Sequence, residues 1–294
     1  MIILLGGSGY LGKAYIKYFE ERGIGYKNLS RREFDYYNPD KLASFLKDVK
    51  ADFLINAAGY TGRPNVDACE NNRAQCLLAN AVLPGLVRLA CEQAGKPWGH
   101  VSSGCVFSGS SGHEHGFREE DPPNFDFRHN NCSFYSGSKA LGEECLEGGQ
   151  SVYIWRLRMP FNHEDSSRNY LSKVQRYERL VDVRNSMSHL NEFVEASYKC
   201  WENRVPFGTY NVTNTGSVTT REVIDMIKRI LKVDKEFKFF ESEDEFLKIA
   251  VKVPRSNLEM DNSKLLSAGI HVSEIHDAME QSLRNWKLEE PVAG

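Results

Sequence analysis

The sequence predicts an α/β protein: a Rossmann-type doubly wound parallel sheet with a smaller C-terminal substrate-binding lobe. Three observations predict it. A short apolar run, Met1–Leu5, leads directly into Gly6-Gly7-Ser8-Gly9-Tyr10-Leu11-Gly12. From residue 1 to about 155, short apolar runs alternate with longer helical patterns. From about 160 the alternation loosens, and segment 160–190 is polar and basic.

Ile2–Leu5 is apolar throughout, as in a strand buried on both faces. Tyr10–Arg22 reads as a helix closed by Gly23, because glycine takes a left-handed cap without strain. Tyr26–Leu29 is a short strand, Asp40–Val49 a helix with Pro39 near its start, and Phe53–Asn56 the next strand. Asp67–Asn80 and Val82–Ala94 read as two helices, the second stopped by Gly95 and Pro97. Trp98–Ser102 is a strand, Tyr135–Leu146 a helix and Val152–Leu157 a strand. Further on, Thr220–Leu231 is an amphipathic helix, Glu241–Phe246 a solvated turn or helix start, and Leu283–Gly294 a terminal helix with a frayed tail. Residues 1–158 are therefore expected to form a dinucleotide-binding domain. Residues 159–294 are expected to form mainly a substrate lobe, with some segments returning to the first domain.

Composition sets bounds. The chain has 294 residues, enough for a large core. A net charge of −3 without a basic block argues against nucleic acid. Seven cysteines show no C-x-x-C and no metal-like pairing with histidine, which fits a reducing cytoplasm and no metal site. The N-terminal apolar run is too short for a signal peptide or a membrane span, so no membrane partner is expected.

The glycine turn carries the first chemistry. Gly6, Gly9 and Gly12 give the tight turn, the close approach to a pyrophosphate and close helix–strand packing, with Ser8, Tyr10 and Leu11 completing the cradle. The helix N-terminus then offers N–H groups and a positive dipole to the diphosphate. After the second strand, Ser30-Arg31-Arg32 stands where an NADH site usually carries an acid. Guanidinium groups suit a 2′-phosphate, so NADPH is the expected cofactor; Glu33 and Asp35 keep NADH open. Asn56-Ala57-Ala58-Gly59 ends the third strand with residues small enough for backbone to approach the cofactor ribose, although close packing alone accounts for them too.

Tyr135 and Lys139 lie four apart, roughly one helical turn on one face. Beside a bound nicotinamide the ammonium is expected to lower the pKa of the phenol. Tyr135 then hands a proton to a carbonyl oxygen as hydride reaches the carbon.

Together these segments resemble the extended short-chain dehydrogenase/reductases. Within that family the likeness is to plant-type UDP-4-keto-6-deoxyglucose 3,5-epimerase/4-reductases and, more distantly, to bacterial dTDP-4-dehydrorhamnose reductases. The residues that carry it include Thr61-Gly62-Arg63-Pro64-Asn65-Val66-Asp67, Ser103-Gly104-Cys105-Val106-Phe107, Arg158-Met159-Pro160, Asn185-Ser186-Met187 and Pro254-Arg255-Ser256-Asn257. The resemblance implies a nucleotide-sugar substrate, with Tyr135 as proton donor and Lys139 as its electrostatic partner. It also implies a hydroxyl on the substrate carbonyl from Ser103 or its neighbour Ser102, Ser103 being preferred. Gly104-Cys105 replaces the acidic pair of related sugar dehydratases, so dehydration by that route is not expected. Cys105 and Lys173 are implied in proton exchange at C3 and C5, while structural roles for both stay open. Arg63, Asn169 and Arg255 are candidates for the diphosphate or sugar hydroxyls. Asn80 is either an active-site residue or a helix cap. The chain departs from the plant pattern at Phe161–Ser167, one residue shorter, and at Asp126–Cys132, which is longer. Relatives are often dimers, so a homodimer is an expectation. Alternatives are a reductase without epimerase activity, a redox-neutral epimerase or dehydratase with trapped NAD+, and a non-catalytic NADPH sensor.

Overall fold

The computed structural model describes residues 1–63 and 65–288. Its centre is a parallel sheet of six strands: β1 (Ile2–Leu5), β2 (Tyr26–Leu29), β3 (Phe53–Asn56), β4 (Trp98–Ser103), β5 (Val152–Leu157) and β6 (Gly208–Asn211). They run in the order β2-β1-β3-β4-β5-β6. Chain direction across the sheet reverses between β1 and β3, which opens a crevice at their carboxyl ends. β1 and β3 are buried at every position, as expected for strands covered on both faces.

One apolar layer joins Tyr15, Phe19, Trp155, Phe193 and Tyr210; the other joins Leu42, Leu46, Leu83, Val87 and Trp98. A third cluster gathers Phe161, Leu171, Met187, Ile227 and Met279, all from beyond residue 159.

The first five strands fall as expected, with β4 one residue longer. Several other expectations need correction. The two helices expected over 67–94 break elsewhere: a short helix Ala68–Asn71 ends at Asn72, and one helix then runs from Arg73 to Ala94. The expected break near Ala81 is a π-turn, Leu78–Val82, inside that helix. Among the described residues this is the one helix long and apolar enough to cross a membrane, but half of its apolar window is buried. Leu83, Val87, Ala90 and Cys91 lie in the layer beneath the sheet, so it packs as a core helix.

Helix Leu190–Glu202 was not expected. It buries Phe193, Val194, Ser197 and Cys200, and Ser197 Oγ lies 2.5 Å from the Tyr15 hydroxyl. β6 was not expected either, because only Tyr210 gives it apolar character. Its Asn211 side chain instead donates at 2.9 Å to the carbonyls of Phe117 and Asp261. The acidic segment is a helix, Glu243–Ile249. The last helix lies earlier than expected, at Ile275–Arg284; residues 289–294 are outside the described residues.

Candidate active site

The glycine turn has the geometry of a dinucleotide cradle. Gly6 has φ +86°, and a Cβ there would stand 2.5 Å from the Ala58 nitrogen. A Cβ on Gly12 would stand 2.1 Å from the Gly6 carbonyl oxygen. Both positions therefore require glycine, and together they hold the helix start against the ends of β1 and β3. Helix Tyr10–Arg22 begins at Gly9 with no side-chain cap, so its first N–H groups face a ligand site. Ser8 and Gly9 are exposed at the mouth. Leu11 packs into the first layer, and the Tyr10 hydroxyl donates to Asn162 Oδ1 at 3.4 Å. Ser30 accepts from the Arg32 N–H at 3.2 Å, shaping the turn that exposes Arg31 and Arg32; the Arg31 charge also acts on the Tyr37 phenol. At the end of β3, Asn56 Oδ1 accepts from the Ala58 N–H at 3.1 Å while its amide nitrogen lies 3.2 Å from His100 Nδ1. The Ala57 N–H donates to the Leu5 carbonyl at 3.0 Å.

Helix Phe134–Glu144 carries Tyr135 and Lys139, with Ser133 accepting from the Ser136 N–H at its start. Lys139 is buried, and its Nζ donates to the Val101 carbonyl at 3.1 Å. A Cβ on Gly59 would lie 3.6 Å from that nitrogen, so the loop after β3 packs beside the ammonium. Asn80 sits in the π-turn and is not a cap. It accepts from the Tyr60 N–H at 2.8 Å and donates to Ser138 Oγ at 3.1 Å and the Tyr60 carbonyl at 2.8 Å. It thereby ties the loop after β3 to the helix of Tyr135.

The Ser103 hydroxyl stands near the Tyr135 phenol. In the chain alone burial raises the phenol's pKa well above the ordinary value, nearby Cys105 adds to the rise, and Ser103 only partly offsets it. Burial also lowers Lys139, whose proton is directed to a carbonyl. Desolvation of the phenolate sets the direction. In the chain alone Tyr135 therefore keeps its proton at neutral pH, the state a proton donor requires.

Cys105 lies on a single 3-10 turn, Gly104–Val106, that follows β4. Its N–H donates to Ser103 Oγ at 3.3 Å, and the hydroxyls of Ser103 and Ser136 stand near its thiol. Burial holds the thiol above its ordinary pKa; the two serines and the charges of Arg158 and Lys139 offset only part of that rise. Lys173 sits on helix Tyr170–Arg176, half-buried and lowered by desolvation and by Arg168. Arg168 donates to Thr61 Oγ1 at 3.1 Å and to the Gly62 carbonyl at 2.8 Å, clasping the loop after β3.

Three substrate candidates are committed elsewhere. Ser102 Oγ donates to Glu143, which pairs with Arg156 at 2.8 Å, all buried. Adjacent strand residues face opposite sides, so Ser103 and Ser102 cannot serve one site. Asn169 caps helix Tyr170–Arg176: its amide nitrogen donates to Asn162 O, Asn162 Oδ1 and Glu164 O at 2.7–3.0 Å, and its oxygen accepts from the Leu171 N–H at 3.0 Å. Its amide hydrogens are fully engaged and the side chain is wholly buried, so it is not presented to a ligand. Arg255 pairs with Asp67 at 2.7 Å. Arg63 is exposed on the same loop. Sequence reasoning missed Arg158 as an individual residue, although its Arg-Met-Pro motif was visible.

The crevice at the switch point and the Ser103–Tyr135–Lys139 arrangement define a member of the short-chain dehydrogenase/reductase class. Residues 1–287 match the family described as RmlD substrate binding domain, and the chain belongs to it. It is 36% identical over 270 residues to the bifunctional dTDP-4-dehydrorhamnose 3,5-epimerase/dTDP-4-dehydrorhamnose reductase of Arabidopsis thaliana, covering 90% of this chain and 85% of that one. It is 33% identical over 284 residues to the trifunctional UDP-glucose 4,6-dehydratase/UDP-4-keto-6-deoxy-D-glucose 3,5-epimerase/UDP-4-keto-L-rhamnose-reductase RHM3 of the same plant, covering 94% of this chain and 41% of that one. The solved L780 UDP-rhamnose synthase of Acanthamoeba polyphaga mimivirus superposes with TM-score 0.88 at 25% identity, over 97% of this chain and 98% of that chain.

Proposed function

We propose that this chain inverts C3 and C5 of a nucleotide-linked 4-keto-6-deoxyhexose and reduces its C4 ketone with NADPH. The observation that carries the reading is a juxtaposition: Ser103 stands near both the Tyr135 phenol and the Cys105 thiol, and its hydroxyl accepts from the Cys105 N–H at 3.3 Å. A proton donor for the ketone oxygen and an acid–base group for the neighbouring carbons thus stand in one place. The kinship to epimerase/reductases and the Gly104-Cys105 pair support the same reading.

Bound NADPH supplies hydride to C4. Ser103 holds the carbonyl oxygen, and Tyr135 gives it a proton as that hydride arrives. Lys139 supplies positive charge behind the phenol. Carbons beside the ketone are acidic because their carbanion delocalises onto the oxygen held by Ser103 and Tyr135. Cys105 removes or returns a proton there, and Lys173, held with a lowered pKa, serves the opposite face. Arg31 and Arg32 take the 2′-phosphate, and Arg63 the sugar-nucleotide diphosphate. Residues 1–158 hold the dinucleotide; those from 159 mainly hold the sugar, while helix Leu190–Glu202 and β6 return to the first unit. The seven unpaired thiols, five of them buried, suit a reducing cytoplasm as the place of action.

The test is to mix the protein with NADPH and UDP-4-keto-6-deoxyglucose, without a separate epimerase, and identify the sugar formed. UDP-rhamnose is expected. A sugar reduced at C4 but not inverted would leave a reductase alone. No turnover with UDP- or dTDP-linked ketosugar would overturn the proposal.

A further inference from the structure

Arg158, the first residue after β5, has no part in the mechanism above. It is 6% exposed. Its Nη2 donates to Asn185 Oδ1 at 2.6 Å and to the Ser256 carbonyl. Ser188 pins its backbone on both sides, at 3.1 Å to its N–H and 2.8 Å to its carbonyl. Its Nε is buried without a hydrogen-bond partner. No carboxylate pairs with it among the described residues, although Arg156, two residues earlier, has Glu143. A buried guanidinium lacking an anion is costly. Three segments distant in sequence nevertheless hold this one in place.

The groups that face its charge are Cys105, Tyr135 and Tyr170. A Cβ on Gly104 would lie 3.5 Å from Arg158 Cδ, so the arginine stem lies within van der Waals reach of the turn that carries Cys105, while Met260 Sδ, 2.3 Å from such a Cβ, is what requires glycine there. Around the thiol itself stand Arg158 from the end of β5, Lys139 and Tyr135 from helix Phe134–Glu144, Cys69 from helix Ala68–Asn71 and Cys132 before Ser133. Burial keeps both phenols protonated, Tyr170 at about 12 and Tyr135 well above its ordinary value. Burial also holds the Cys105 thiol above its ordinary pKa in the resting chain, and the charges of Arg158 and Lys139 act against that rise, so they favour the thiolate that the exchange step needs.

We propose that Arg158 is a positioning residue whose unanswered buried charge balances the thiolate of Cys105. This rests on the epimerase reading of Cys105. In the step concerned, the thiolate takes a proton from the carbon beside the ketone. An S–H bond forms, the C–H bond breaks, and the electron pair passes into the enolate whose oxygen Ser103 and Tyr135 hold. Arg158 keeps its own proton throughout.

The test follows the Cβ signals of protein labelled with 13C at cysteine Cβ as pH is raised, with Cys105 assigned by its absence in Cys105→Ala. It needs neither substrate nor NADPH, so it stands apart from the epimerase reading, which is tested by proton exchange at C3 and C5. Arg158→Gln is expected to raise the Cys105 midpoint by about one to three pH units. Asn185→Asp, which sets a carboxylate on the guanidinium without changing shape, is expected to raise it likewise and decides the matter if the first variant does not fold. Arg158→Lys, which keeps the charge, is expected to stay near the native midpoint. An unmoved midpoint in a folded Arg158→Gln or Asn185→Asp protein, or a rise in Arg158→Lys as large as in Arg158→Gln, would overturn the proposal.

Discussion

At the scale of one residue, Tyr135 shows how burial and charge compete. The Tyr-Lys spacing made the pair legible, but a spacing cannot say where the ammonium points. It points to the Val101 carbonyl, and desolvation sets the phenol. Tyr135→Phe keeps the ring and removes the proton donor. It should cut ketone reduction by roughly 10²–10⁴-fold while NADPH binding, read by fluorescence titration, changes little. Ring loss alone cannot produce that split, and near-native reduction in the variant would remove Tyr135 from the mechanism. Arg31 and Arg32 make a second residue-scale claim. Replacing both with alanine should weaken NADPH binding by about tenfold or more, because hydrogen bonds to charged groups contribute about 1.5–3 kcal/mol, and should leave NADH binding nearly unchanged. Equal loss for both cofactors would contradict a 2′-phosphate role.

At the scale of elements, helix Phe134–Glu144 must sit at a fixed height over β4 and β5 for Tyr135 to reach Ser103. Glu143 fixes it: its carboxylate meets the Arg156 Nη2 at 2.8 Å and accepts from Ser102, in a network nearly closed to water. Glu143→Gln leaves the Arg156 cation buried without its anion, so urea unfolding should show a loss of about 3–5 kcal/mol. A loss under about 1 kcal/mol would mean that water reaches the pair. This network also explains a misplaced expectation. Ser102 and Ser103 look alike in sequence, and only the alternation of β4 decides which one meets the helix interior. Likewise a π-turn has no signature in propensity: Leu78–Val82 looked like a break between helices, whereas it rotates Asn80 toward Tyr60 and Ser138.

At the scale of the molecule, the first half was legible because strands buried on both faces are apolar at every position and glycine turns close their helices. The second half hid its return to the sheet. β6 is held by polar side chains reaching Phe117 and Asp261, and helix Leu190–Glu202 was passed over although Leu190, Phe193, Val194 and Ser197 follow its period. The expected diphosphate ligand Arg255 was legible as an arginine but not as a strut. It and Arg168 grip Asp67, Thr61 and Gly62 from beyond residue 159. Stability of the whole should also report on the site. His100, fully buried beneath it, is held well below its ordinary pKa by burial and then by the Lys139 charge. The unfolded chain takes up that proton near pH 6.5 and the folded chain refuses it. Stability is therefore present above about pH 6.5 and falls by up to about 1.4 kcal/mol per pH unit below it. Urea titrations at descending pH should show this slope reduced in His100→Gln; the same slope in both proteins would exclude His100 as its source.

The central claim is that one cluster around Ser103 performs both proton exchange at carbon and ketone reduction. The most direct measurement runs the reaction in D2O with unlabelled NADPH and reads the product by NMR. Deuterium at C3 and C5 with protium at C4 is predicted, and Cys105→Ala should suppress the first far more than the reduction of an already inverted substrate. Protium at all three carbons would show that this chain only reduces, and equal slowing of both steps in Cys105→Ala would return Cys105 to a structural role.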